Sequence, residues 1–134
     1  MSNSVATGVA YQDPEFSTCY ATAELGYSAA AQGTVTQATD KTTGVTLNKS
    51  AGRITMNSAS LAANTAVSFT LTNSLISAND AIIVNVSGGG TAAAYTTYIS
   101  SMTLGSAVVT LRNLTASPLA EAVILNFAII HGAS

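Results

Sequence analysis

The most apolar stretch of the chain, residues 122–134 (AVILNFAIIHGAS), carries apolar residues at both odd and even positions. Successive side chains of a β-strand point to opposite faces of the sheet. One face of this segment would carry Val123, Leu125, Phe127 and Ile129. The other would carry Ile124, Ala128 and Ile130. A strand of a small antiparallel sheet usually keeps one face polar, so the pattern predicts a strand with one core face and a second apolar face that something else covers.

Alternation with a period of two continues upstream of this segment. Residues 66–73 (AVSFTLTN) place Val67, Phe69 and Leu71 on one face and hydroxyl side chains on the other. Residues 33–56 alternate Thr and Val, and turn signals recur about every ten to fifteen residues along the chain. This spacing predicts an all-β domain over residues 34–134, a jelly-roll-like antiparallel β-sandwich.

The first 33 residues have little alternation and hold three of the five tyrosines. We interpret residues 1–33 as an extended N-terminal arm; the alternative is a disordered tail. Aromatic side chains are costly to leave in water and suit a segment that lies on a partner. The predicted anchors of the arm are Tyr11, Pro14, Phe16 and Tyr20.

Composition excludes several classes of partner. Charged residues make up 7% of the chain, yet no apolar run reaches the 18 or so residues of a membrane-spanning helix. The N-terminus lacks a basic start and an apolar core, so we expect no secretory signal and synthesis in the cytoplasm. Four basic residues against six acidic ones give no basic patch for nucleic acid. Cys19 is the single cysteine, which leaves no internal disulfide and no thiolate zinc site.

The residues offer little support for catalysis. His131, the single histidine, would need a carboxylate and a nucleophilic serine beside it, and no G-x-S-x-G elbow is present. The other interpretations of His131 are a polar stop at a strand end and a ring of histidines around a three-fold axis. Asp13 and Glu15 flank Pro14 in the arm, where they cannot form the fixed carboxylate pair of a glycosidase.

Two further motifs have plain interpretations. Residues 87–95 (SGGGTAAAY) are glycine-rich but lack the lysine and following helix of a phosphate loop, so we expect a flexible surface loop. Asn85 and Asn113 head glycosylation patterns that we treat as coincidental in a chain without a secretory signal. We therefore predict no enzyme, no cofactor and no metal, and an enzyme acting on cell-wall polymers stays a distant alternative.

Parts of the sequence resemble a module of tailed-bacteriophage virion proteins. The resemblance lies in VTQAT…GVTLN (residues 35–48), SFTLTNS (68–74), the glycine loop and NFAIIHG (126–132), and it covers residues 33–132. Such modules occur as head decoration (cement) proteins and as C-terminal domains of tail fibres. The resemblance implies a homotrimer of jelly-roll-like subunits around a three-fold axis.

In such a trimer, neighbouring subunits would cover Ile124, Ala128 and Ile130, because an exposed apolar patch marks an interface. The alternative is a single sandwich whose own loops bury both faces. The arm, on the order of 100 Å when extended, would reach major capsid protein subunits, and 134 residues leave no room for a fibre shaft. We therefore expect a capsid decoration protein on the outer surface of the virion.

The second functional hypothesis is a short tail-fibre or adhesin tip that binds a host surface glycan. Its candidate residues lie in the loop of residues 87–95, namely Ser87, Gly89 and Tyr95, with Tyr98 just beyond. Affinity for a polysaccharide that depends on one of these tyrosines would favour the adhesin over the cement protein.

Overall fold

The computed structural model describes residues 15–133, which form an all-β fold. A single 3-10 turn, Ala29–Ala31, precedes the strands. The strands are β1 (Gln32–Thr36), β2 (Val45–Thr46), β3 (Ala51–Thr55), β4 (Ala66–Thr72), β5 (Ala81–Gly88), β6 (Tyr95–Thr103), β7 (Ser106–Asn113) and β8 (Ile124–Ile130). Within residues 15–133, no helix is long and apolar enough to cross a membrane.

The strands form two four-stranded sheets that pack together as a sandwich. The first sheet has the order β1-β3-β8-β5 and the second the order β2-β4-β7-β6. The expectation of wholly antiparallel sheets is wrong for two pairs, because β1 and β3 run parallel, as do β2 and β4. The chain crosses from one sheet to the other after each of the first five strands, so each of the strands β3 to β6 runs in the same direction as the strand two before it.

The core lies between the two inner faces. The predicted inward set of the last strand is confirmed, since Val123, Leu125, Phe127 and Ile129 are all buried. Opposite them in the second sheet lie the buried side chains of Phe69 and Leu71 in β4 and of Ala107, Val109 and Leu111 in β7. Burial of such side chains is worth roughly 1.5–3 kcal/mol each, which makes this layer the main source of stability.

Strand direction gives the sandwich two distinct ends. The arm end carries the arm, the loops of residues 47–50 and 73–80, the β6–β7 turn and the C-terminal residues 131–133. The far end carries the loops of residues 37–44, 56–65, 89–94 and 114–123. Strand β1 begins at Gln32, inside the range assigned to the arm, and residues 15–30 before it are all exposed.

Candidate interaction surfaces

The outward face of the first sheet carries an apolar patch near the arm end. Register places Ala128 of β8 between Ala51 and Ile83, and places Ile130 beside Ala81. We call these five residues the outer patch. Ile83 and Ile130 are each 56% exposed. The residues of β5 and β8 that face the core have a smaller exposed fraction. Ile83 was not predicted as an outward residue, because the adjacent pair Ile82-Ile83 does not reveal which isoleucine faces out.

The three predicted trimer residues share this outward face but do not form one continuous surface. Ile124 is separated from Ala128 by Asn126, which lies level with Arg53 on one side and Asn85 on the other. Ile124 and Ala128 are partly buried within the chain, whereas Ile130 is exposed. Within one chain, the outer patch around Ile130 is therefore the more accessible part of the predicted interface.

A shallow groove of about 690 Å³ runs beside the outer patch, where the arm joins the body. Its lining includes Gly26 and Tyr27 from the arm, Thr34 and Arg53 from β1 and β3, and Asn126 from β8. The Tyr27 hydroxyl donates a hydrogen bond to the carbonyl oxygen of Ile129. This bond ties the root of the arm to the last strand.

The described part of the arm exposes its large apolar side chains. Phe16 is 68% exposed and Tyr20 88% exposed, and Leu25, which was not among the predicted anchors, is 91% exposed. The other two predicted anchors, Tyr11 and Pro14, lie outside the described residues. An arm with these side chains in water has apolar area to bury on another surface.

The predicted glycan loop is largely exposed, but the placement of Tyr95 at its surface is corrected. Tyr95 is 9% exposed, because β6 directs its ring into the core. Ser87 is exposed and its hydroxyl accepts a hydrogen bond from Arg53 at 3.3 Å. Gly89 is in the left-handed region (φ 73°), and a Cβ there would collide with the carbonyl oxygen of Ala122. Of the two tyrosines considered for glycan binding, Tyr98 is the exposed one, at 47%.

A carboxylate at the far end holds the same loop in place. Glu121 accepts hydrogen bonds from the Thr91 amide (3.0 Å), the Thr91 hydroxyl (2.8 Å) and the Tyr95 hydroxyl (2.8 Å). These bonds, led by the Thr91 amide, lower the pKa of Glu121. Burial, reinforced by the carboxylate, raises the pKa of Tyr95 well above its usual value. The arrangement ties the glycine-rich loop to the β7–β8 connection, in place of the flexible loop that we expected.

Further polar side chains at the far end are buried and serve as crosslinks between loops. The Lys41 ammonium donates to the carbonyl oxygens of Asn57 and Glu121, and burial lowers the pKa of Lys41. Asn113 is fully buried and bonds to the loops on both sides of it. The amide of Asn113 is therefore inaccessible to a glycosyltransferase in the folded chain, whereas Asn85 lies exposed in β5.

His131 pairs with a carboxylate, but the geometry is not that of a hydrolytic triad. Its Nδ1 lies 3.1 Å from Oδ2 of Asp80, and the Ser77 hydroxyl donates to Oδ1 of the same carboxylate at 2.9 Å. A triad needs the imidazole between serine and carboxylate, whereas here the carboxylate lies between the other two. The Ser77 amide, together with these partners, lowers the pKa of Asp80 to about 2.

The pair instead fastens the C-terminal residues to the β4–β5 loop, and the Gly132 amide adds a bond to Asp80 at 3.1 Å. This agrees with the interpretation of His131 as a polar residue at the strand end. A ring of His131 side chains around a three-fold axis stays a prediction. Across residues 15–133, no group of three His, Cys, Asp or Glu side chains could hold a metal ion.

The candidate interaction surfaces within residues 15–133 are therefore an exposed arm, an outer patch and a groove between them. Comparison with protein-family models, with curated proteins and with solved structures finds no significant match to this chain.

Proposed function

We propose that this chain is a capsid decoration (cement) protein that binds the outer surface of a phage head as a homotrimer and stabilises contacts between major capsid protein subunits. The observation that carries the proposal is the exposed arm. Its side chains Phe16, Tyr20 and Leu25 all lie in water, whereas the large apolar side chains of the sandwich core are buried. Such side chains make strong anchors when they enter a groove on a partner.

The outer patch supports the homotrimer. Ile83 and Ile130 lie on adjacent strands and are both more than half exposed, and burying a side chain of this size contributes roughly 1.5–3 kcal/mol. A jelly-roll-like subunit is part of the same proposal. Eight strands in two sheets of four agree with that description, whereas the parallel pairs β1–β3 and β2–β4 depart from it.

The arm is tested by deleting residues 1–25 and measuring cosedimentation with phage heads that lack the protein. A cut at this point keeps Tyr27 and its hydrogen bond to β8, and it leaves β1 intact. We expect a folded body of unchanged oligomeric state that no longer binds heads. Binding equal to that of the full chain would refute the role of the arm. The copy number in purified virions, near one per major capsid protein, is the independent check.

The trimer is tested with Ile130→Asp. Because Ile130 is already 56% exposed in the single chain, the carboxylate should not disturb the monomer, but it would be buried in a trimer interface at a large cost. Sedimentation should give three times the 13.4 kDa chain mass for the wild type and a smaller species for the variant. Thr70→Asp, on the exposed face of the second sheet, is the matched control. An unchanged trimer with Ile130→Asp would remove β8 from the interface.

A glycan-binding adhesin tip is the second candidate, and Tyr98 is the side chain that favours it. Its ring is 47% exposed on the second sheet, with Thr96 and Ser100 at alternate positions of the same strand. Binding to a host polysaccharide that Tyr98→Ala abolishes would support this function. A handful of copies per virion would favour it over the cement protein.

A further inference from the structure

The arm end carries two exposed leucines at the tips of neighbouring loops. Leu104 occupies the turn between β6 and β7 and is 83% exposed, and Leu75 lies in the β4–β5 loop and is 42% exposed. Single exposed leucines are common on protein surfaces. These two lie on the same end of the sandwich as the arm, which makes them part of a larger apolar surface.

The loops that hold these leucines are well ordered by hydrogen bonds. The Asn73 amide donates to the carbonyl oxygen of Gly105 (3.0 Å), and the Gly105 amide donates to that of Ile76 (2.9 Å). The Asn73 side chain accepts from the Leu75 amide at 3.0 Å. Because Leu75 and Leu104 each adjoin a residue of this network, they are presented by a fixed frame, and a partner would lose little entropy in ordering them.

The arm leaves the body beside this frame. The Asn73 side chain donates to the carbonyl oxygen of Lys49 (2.7 Å), and the Lys49 ammonium donates to that of Ala30 (2.9 Å). This chain of bonds connects the loop of Leu75 to the root of the arm. The exposed apolar side chains at the arm end thus include Leu75, Leu104, Phe16, Tyr20 and Leu25.

Charge distinguishes the arm from the body. The first 40 residues contain no Lys or Arg, and the arm carries the three acids Asp13, Glu15 and Glu24. A partner that complements this end therefore needs an apolar surface with basic side chains around it. The acidic arm disfavours an anionic lipid surface, because such a surface attracts basic segments.

We propose that the arm end is one continuous docking surface, formed by Leu75, Leu104 and residues 15–30 of the arm, for a protein surface that is apolar and bordered by Lys or Arg. This inference rests on the proposed function, in which that protein is the major capsid protein. It adds an orientation. The arm end faces the capsid, and the far end, closed by the Glu121 and Lys41 hydrogen bonds, faces outward.

The test compares Leu75→Asp and Leu104→Asp with Leu114→Asp in cosedimentation with undecorated heads. Leu114 is a matched control, because it is 49% exposed and follows β7 at the far end. We expect each arm-end variant to weaken binding at least tenfold and the control to bind as the wild type does. Circular dichroism and sedimentation should show the same fold and oligomeric state in all the variants, since each side chain is already exposed.

A charge variant tests the border of the partner surface. Glu15→Lys combined with Glu24→Lys should weaken head binding at low salt, and the difference from wild type should shrink as salt screens it. Tighter binding of this variant would refute the inference that Lys or Arg side chains border the partner surface.

Four outcomes separate the ideas. If the wild type binds heads and both arm-end variants bind equally well, the docking surface is wrong and the proposed function stands. If only Leu114→Asp loses binding, the orientation is reversed and the inference fails. If the wild type does not bind heads, the proposed function fails and the inference fails with it. Binding to vesicles of phosphatidylcholine and phosphatidylglycerol that Leu104→Asp abolishes would replace the protein partner by a lipid surface.

Discussion

Replacing Asn113 with alanine should release the far end of the sandwich. Asn113 is fully buried at the end of β7. Its amide nitrogen donates to the carbonyl oxygens of Leu61 (3.1 Å), Ala62 (3.2 Å) and Ser117 (2.8 Å). Its side-chain oxygen accepts from the amide and the hydroxyl of Thr115, at 2.9 and 2.8 Å. One side chain thus connects the β3–β4 loop to the β7–β8 loop.

The expected cost follows from which groups keep a partner. The Leu61 carbonyl still accepts from the Leu119 amide (3.0 Å), and the Ser117 carbonyl still accepts from the Thr115 hydroxyl (2.9 Å). The Thr115 amide loses its acceptor, at a cost of about 1–3 kcal/mol, and each other lost bond costs about 1 kcal/mol or less. We therefore expect a decrease of about 3 kcal/mol in the free energy of unfolding, or roughly 10 °C in Tm for a domain of this size.

The measurement is urea and thermal unfolding followed by circular dichroism, with wild type and variant at the same protein concentration because oligomerisation affects Tm. The control is Asn85→Ala. Asn85 is exposed, with one weak side-chain bond of 3.3 Å to the Val86 carbonyl, so its removal should change stability by no more than about 0.5 kcal/mol. If Asn113→Ala lowers the free energy of unfolding no more than Asn85→Ala does, the buried amide does not connect the two loops in solution.

Three other perturbations have defined outcomes. Gly52→Ala places a Cβ 2.6 Å from Leu47 Cδ2 and should cost about 1–3 kcal/mol through overpacking, whereas Gly88→Ala, with open space around it, should be neutral; equal urea midpoints would contradict this. Lys41→Met removes the donor to two partly buried carbonyl oxygens and should cost about 1–3 kcal/mol; a more stable variant would show that desolvation of the ammonium dominates. The pKa of Asp80 is lowered from 3.8 to about 2, so its stabilising contribution is complete above about pH 4 and is lost as the pH falls towards 2. Asp80→Asn should reduce the slope of unfolding free energy against pH between about pH 4 and 2. An unchanged slope would argue against the lowered pKa of Asp80.

Sequence alone predicted the all-β class and the inward face of the last strand. Both are local properties, because the period of two in a strand is fixed by the backbone and the burial of Val123, Leu125, Phe127 and Ile129 repeats it residue by residue. The same rule identified Phe69 and Leu71 as core residues of β4. The segment before the sheet was also recognisable, since residues 15–30 lack alternation and are exposed.

The features that sequence did not determine depend on which strands become neighbours. Parallel pairing of β1 with β3 follows from the crossings between the sheets, which the alternation within either strand does not predict. Tyr95 was expected at the surface of a glycine-rich loop. Its hydroxyl instead donates a hydrogen bond to Glu121, which is distant in sequence, and this bond holds the loop against the sandwich. Lys41 is a charged residue in a polar segment, and its burial depends on carbonyl oxygens that two other loops supply.

The candidate surfaces divide in the same way. Composition placed the apolar and acidic residues of the arm in one segment, because the absence of Lys and Arg before residue 41 is a property of the sequence itself. Only the tertiary structure places Leu75, Leu104 and the root of the arm on one end, since hydrogen bonds between separate loops bring them together. Likewise, only the pairing of β5 with β8 sets Ile83 beside the apolar residues of the last strand. Alternation determines which way a side chain points, and the order of the strands determines what lies next to it.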